Sequence, residues 1–262
     1  MQHEHWWPRH CHFDAALAPG VAKALDGAGA GVVVKRGSVP ASLLRLRHRH
    51  LAAVLAADSD YHVLAWVDGV PLARQAGPVP VATAVRWTGQ LLAALACLHD
   101  AGIVHRDVTT ANVLVNGEDV VLIDFGLAGP AGLCAVAGTP ASTAPEQWRG
   151  HADARSDLFG VGVLLYRLLT GCHPFPGPPF AALQRMLHGP VTAPSSLASQ
   201  GDPAFDSLLL RALAPRPSDR FASAAAMAAE LEACMLHCAA NPGLAGPASE
   251  CRKNENRNDK FR

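Results

Sequence analysis

The chain has 262 residues, 50% of them hydrophobic, with 22 basic side chains balancing 22 acidic ones. That length holds one large domain or two modest lobes around a sizeable core, and the charge balance leaves no electrostatic footprint for a nucleic acid. With no run of about 18 apolar residues, no basic-then-apolar leader and scattered cysteines that lack a CxxC pair, the expectation is a cytoplasmic protein without a membrane span.

Residues 1–12 carry His3, His5, His10, Cys11 and His12, but two Trp and a Pro sit among these candidate ligands. The spacing matches no zinc pattern, so a frayed polar tail is expected there. Residues 21–35 read as two strands joined by a turn containing Gly27, Gly29 and Gly31. Residues 38–47 allow about two helical turns, with Ser38 as cap and Pro40 in the first turn. Residues 70–80 are rich in Pro and Gly and read as a linker. From Val81 to His99, positions 81, 84, 85, 88, 92, 95 and 98, all apolar except Thr88, recur at helical spacing.

Two short apolar runs, Val113–Val115 and Val120–Ile123, then flank Asn116-Gly117, a strong hairpin signal. Such a hairpin brings Asn112 and Asp124 to one mouth, with Asp107 a few residues upstream. Two carboxylates and an amide oxygen suit Mg²⁺, which takes hard oxygen ligands and shares them with phosphates. Ser156–Gly171 is apolar on nearly every side and reads as a helix buried all round. Ala224–Cys238 reads as a closing alanine-rich helix. Residues 239–262 are polar, interrupted by Pro and Gly, and expected to be disordered.

His105-Arg106-Asp107, Asn112 and Asp124-Phe125-Gly126 together resemble the catalytic and magnesium loops of protein kinases. The resemblance extends over residues 13–238. It implies an α+β, two-lobed protein kinase-like fold of the bacterial serine/threonine type: a small β-rich lobe and hinge (13–69) and a helical lobe (70–238). It implies Asp107 as the base that orients an accepting hydroxyl, with Asn112 and Asp124 as Mg²⁺ ligands. Val32-Val33-Val34-Lys35 resembles the strand carrying the phosphate-binding lysine. Only three residues separate Gly31 from Lys35. The glycines therefore belong to the turn before that strand, and Val21 ends the nucleotide loop. Val21, Val33, Lys35, Ala65, Val67 and Leu114 are the implied ATP contacts, with Leu64 behind the base. Gly138-Thr139 and Ala144-Pro145-Glu146 resemble the end of an activation segment. Asp157 would tie down the catalytic loop, and Arg220 would pair with Glu146. The implied reaction transfers the γ-phosphoryl of Mg-ATP to a Ser or Thr hydroxyl of a protein.

Several positions depart from that pattern. Residues 14–20 keep only Gly20 where the family's loop has three glycines, which removes close backbone approach to phosphate. Asp14 would add negative charge there if it pointed inward. No glutamate lies between Glu4 and Glu118, so Lys35 lacks its usual helix-borne partner and turns to Asp124 or stands alone. A charge-assisted hydrogen bond of about 1.5–3 kcal/mol corresponds to roughly tenfold to a hundredfold in rate. Val33 replaces an alanine beneath the base. Thr109, still counted with Asp107 and Lys35 among the catalytic residues, replaces a lysine near the transferring phosphate. Residues 127–138 contain no Ser, Thr or Tyr, so activity is expected not to need activation-loop phosphorylation. The alternative implied by these departures is a pseudokinase that binds nucleotide or partners with little phosphotransfer.

Overall fold

The computed structural model describes residue 8, residues 10–197 and residues 203–240. His3 and His5, and the disorder expected over 241–262, lie outside the described residues. The fold is α+β. Its first part is a five-stranded antiparallel sheet of β1 (His12–Ala18), β2 (Val21–Leu25), β3 (Gly31–Arg36), β4 (Val54–Ala57) and β5 (Tyr61–Ala65), in the order β1-β2-β3-β5-β4.

The tail expected through residue 12 ends earlier. Cys11 is buried among Ala24, Val32, Val34 and Val63, and His12 already pairs with Leu25. Apolar contact outweighs fraying there. Pro19-Gly20 turns β1 into β2, with Gly20 at φ 69°. The 26–30 turn closes on Asp26, whose Oδ1 accepts from the backbone N–H groups of Ala28 and Ala30 at 2.9 and 2.8 Å. Strand alternation then sorts the side chains. Ala22, Ala24, Val32 and Val34 are buried on one face, while Val21, Val33 and Lys35 line a cavity on the other.

The helix expected over 38–47 shrinks to one 3₁₀ turn, Ala41–Arg45, preceded by Pro40 and without a side-chain cap from Ser38. Arg47 donates to the carbonyls of Leu44 and Leu46, which ends the turn. The chain is then needed elsewhere: Ala52 N–H donates to Leu122 O at 3.0 Å, and Leu122 N–H to His50 O at 2.9 Å. These bonds join the small sheet to the hairpin of β7 (Val113–Asn116) and β8 (Asp119–Leu122), to which β6 (Val70–Pro71) adds an edge. The hairpin turns one residue later than expected. Asn116 pairs with Asp119, and Gly117, at φ 61°, takes the first central position. A turn with positive φ only at its first central residue suits glycine and leaves Asn116 in the strand.

Helix α1 (Val81–Asp100) buries Trp87, Leu91, Leu92, Leu95 and Leu98 as its apolar spacing dictates. Among the described residues it is the one helix long and apolar enough to cross a membrane; those buried side chains belong to the main core. Gln90 pins the hairpin to it, accepting from Val120 N–H at 2.9 Å and donating to Asp119 at 2.7 Å. A short pair, β9 (Gly132–Leu133) with β10 (His151–Ala152), precedes α2 (Ala154–Thr170).

Helix α2 opens on an Asp153/Ser156 capping box and is buried along nearly its whole length. Its Gly160 lies against the loop that carries Asp107: a Cβ there would stand 2.7 Å from Val108 O. Helices α3 (Pro179–His188), α4 (Ala204–Ala212) and α5 (Ala224–Ala240) complete the second part. The last runs two residues beyond the expected end at Cys238.

Candidate active site

Between the sheet and the hairpin lies a cavity of about 410 Å³, inside the range of about 300–1,000 Å³ usual for ligand pockets. All six expected nucleotide contacts (Val21, Val33, Lys35, Ala65, Val67 and Leu114) line it, as do Leu64 and Asp124. Val33, registered opposite Leu64, forms wall and leaves this volume open. The same wall includes Leu17, Trp66 and Arg74, which sequence reasoning missed. Leu17 falls in a strand interrupted by register shifts, so no alternation marks it.

Asp14 does not point into the cavity. It pairs with Lys23 at 3.1 Å, and the Lys23 ammonium lies 4.8 Å over the Trp66 ring. The segment expected to approach nucleotide is correspondingly reduced to the Pro19-Gly20 turn.

At the opposite end Lys35 Nζ meets Asp124 Oδ2 at 2.6 Å, the partner available in the absence of a helix-borne glutamate. Asp124 adopts φ 68°, a strained conformation that clusters at functional sites. Gly126 N–H donates to its Oδ1 at 3.2 Å. Burial alone would raise the Asp124 carboxyl. The hydrogen bond and charge of Lys35, with the Gly126 N–H and His105, instead hold it below the ordinary carboxylate value.

Asp107 and Asn112 meet each other, and Ile123 N–H, one residue before Asp124, donates to Asn112 O at 2.9 Å. The Asn112 amide nitrogen donates to Asp107 O at 3.0 Å and to Asp107 Oδ2 at 2.7 Å. Both contacts use its NH₂ and leave the amide oxygen as a free acceptor. Two carboxylates and this oxygen form a hard donor set that fits Mg²⁺. Asp107 Oδ1 accepts from Thr139 N–H at 3.1 Å and from its hydroxyl at 3.2 Å. Thr109 is not brought to this cluster. It is buried and its hydroxyl has no partner among the described residues, because the small side chain stays inside where a lysine would reach out.

The loop carrying Asp107 is held from beneath. Asp157 is buried, and its carboxylate accepts from Arg106 N–H at 2.7 Å, His105 N–H at 2.8 Å and His99 Nε2 at 2.8 Å. Arg106 sits at φ 70°. Its guanidinium donates to the carbonyls of Leu127 and Pro130, so backbone oxygens of the following segment, which was expected to carry no phosphate, take its terminal nitrogens, while its Nε is buried without a partner among the described residues. Gly129 lies against the guanidinium; a Cβ would come within 2.9 Å. Buried Gln147 donates to Arg106 O at 2.8 Å and accepts from Ala144 N–H at 3.0 Å, a brace with no signal in the sequence. Arg220 grips Glu146 through two bonds of 2.7 and 2.9 Å, and Ser156 Oγ adds a third to the same carboxylate at 2.7 Å.

Comparison with known proteins agrees with this geometry. A model of the protein kinase domain matches residues 50–231. The chain is similar to the serine/threonine-protein kinase PknL of Mycobacterium tuberculosis, with 38% identity over 208 residues, covering 73% of this chain and 52% of that protein. It is similar to PksC of Streptomyces coelicolor, also named a serine/threonine-protein kinase, at 36% identity over 212 residues, covering 71% and 38%. Similarity to PknB of Mycolicibacterium smegmatis, another serine/threonine-protein kinase, is 37% over 186 residues, covering 65% and 30%. The chain thus spans about half the length, or less, of these curated relatives.

Proposed function

The chain belongs to the protein kinase domain family, and from that premise we propose that it transfers the γ-phosphoryl group of Mg-ATP to a serine or threonine hydroxyl of a protein. The observation that carries the reading is the Lys35–Asp124 contact at 2.6 Å on the wall of the cavity, with Asn112 bonded both to Asp107 and to the backbone of Ile123. The apolar walls from Val21, Val33 and Leu114 sandwich the base. Ala65 and Val67 offer it backbone groups, and Lys35 steadies the phosphates.

Asn112 and Asp124 would hold Mg²⁺, which neutralises charge on the phosphate oxygens when bound. Asp107 orients the accepting hydroxyl and takes up its proton. The hydroxyl oxygen bonds to the γ-phosphorus, the bond to the β–γ bridging oxygen breaks, and ADP leaves with that electron pair. An aliphatic hydroxyl, that of Thr139, already hydrogen-bonds to Asp107 Oδ1, which supports a serine or threonine acceptor. Positioning and charge neutralisation supply the acceleration, since the chain forms no covalent intermediate in this scheme.

The test is transfer of label from γ-labelled ATP to a generic protein acceptor, followed by phosphoamino-acid analysis. The wild type should label Ser or Thr, and Asp107→Asn should lose at least about a hundredfold while still binding ATP. Equal background in both proteins overturns the reading.

A further inference from the structure

His62 lies on β5 directly opposite Lys35 in the β3–β5 register. Cross-strand partners put their side chains on the same face about 4.5–5.5 Å apart at Cβ, so the imidazole and the Lys35 stem are neighbours behind the cavity. His62 is 1% exposed. Its Nδ1 lies 2.8 Å from Gly37 O. A carbonyl brings no proton, so Nδ1 must carry one and donate it. In the neutral ring this fixes the tautomer and leaves Nε2 as a bare lone pair. That Nε2 is buried with no hydrogen-bond partner among the described residues, an arrangement that costs free energy unless a donor arrives.

Its surroundings favour the neutral ring. Burial first, and the Lys35 ammonium after it, hold its pKa below the usual histidine value, against the Gly37 carbonyl and the Asp124 carboxylate. Lys35 and Asp124 are therefore the charges that act on it. Lys35 has three donors, and Asp124 takes one. The segment that would supply a glutamate is a single 3₁₀ turn, Ala41–Arg45, containing none.

We propose that His62 is a positioning residue for Lys35: its Nε2 lone pair accepts from the Lys35 ammonium and holds it at the phosphate end of the cavity when Asp124 is engaged elsewhere. The role of a missing helix-borne carboxylate thus passes to an imidazole on the neighbouring strand. A side chain that only filled space between Tyr61 and Val63 on β5 would have no use for a buried acceptor. This assignment rests on the nucleotide-binding reading above.

Calorimetric binding of ATP and of adenosine, which lacks phosphates, separates the possibilities. His62→Leu removes the acceptor at similar volume, and His62→Gln restores one near Nε2. In the leucine variant ATP should weaken about tenfold, the lower end of one charge-assisted hydrogen bond, while adenosine stays within about twofold. Glutamine should recover most of the ATP affinity. If leucine does not fold, His62→Met poses the same question with a more adaptable side chain. An unchanged ATP affinity in the leucine or methionine variant overturns the assignment alone, as does parallel weakening of ATP and adenosine. Failure of the unmodified chain to bind ATP overturns both this assignment and the kinase reading.

Discussion

Replacing Asp157 by asparagine tests the link between the buried helix α2 and the chemistry. The carboxylate satisfies three donors, two of them the backbone N–H groups of His105 and Arg106 at 2.8 and 2.7 Å. An asparagine of the same shape keeps one oxygen and turns an NH₂ toward at least one of those donors. Leaving one buried N–H unsatisfied costs about 1–3 kcal/mol, and the surviving bonds lose the strengthening of full charge. The sum is about 2–4 kcal/mol, survivable for a domain of about 5–15 kcal/mol.

The catalytic consequence exceeds the thermodynamic one. Arg106 holds φ 70°, a conformation costing about 1–3 kcal/mol that persists only while its surroundings over-determine it. Once one anchor goes, the loop relaxes and carries Asp107 with it. A displacement of about 1 Å is worth on the order of a hundredfold in rate. Urea unfolding, kcat and the ATP dissociation constant should be measured together. Stability and kcat should both fall while ATP affinity holds, because Asp157 does not line the cavity. A variant destabilised by this amount with kcat unchanged refutes the coupling.

Glu146→Gln should destabilise by about 3–5 kcal/mol, since it strands the buried Arg220 guanidinium; denaturant midpoints measure it. Phosphatase treatment should change activity by less than about twofold, because residues 127–138 offer no hydroxyl to phosphorylate and backbone carbonyls of Leu127 and Pro130 already take the terminal nitrogens of Arg106; a larger loss would locate a required phosphate elsewhere.

His173 is pushed down to about 4 by burial and then by Arg167. Between pH 6.5, its ordinary value, and about 4, the unfolded chain therefore binds a proton that the folded chain refuses. Stability should fall over that window by up to about 3 kcal/mol and level off below it. His173→Gln should flatten the slope in urea titrations. The depressed Asp124 carboxyl adds its own loss only at lower pH, below its ordinary 3.8.

The second part of the molecule was more legible in the sequence than the first. The hairpin pattern brought Asn112 and Asp124 to one mouth, and the resemblance to protein kinases implied the Asp157 tie and the Glu146–Arg220 pair, both of which the structure makes as hydrogen bonds. The hairpin was displaced by one residue because Asn-Gly and a lone Gly in first position satisfy closely related turns. In the sheet lobe, residues 38–47 carry helix-compatible side chains, but Pro40, the Arg47 bonds to terminal carbonyls and the bridge at residues 50–52 shorten the helix to one turn. Tertiary connection overrode propensity there. His62 was invisible for another reason: a single histidine on an apolar strand reads as ordinary core until its register partner is known. Thr109 differs in the opposite sense: the resemblance implied it, but its side chain is buried, with a hydroxyl that has no partner among the described residues.

The five-residue 3₁₀ turn between β3 and β4 has a mechanical consequence. A helix docked loosely on a sheet can swing away and take a lysine's partner with it. Lys35 and the imidazole opposite it are instead stitched together by the hydrogen bonds of adjacent strands. Their spacing is clamped by the same ladder that holds the lobe together, and separating them means tearing one strand from the next.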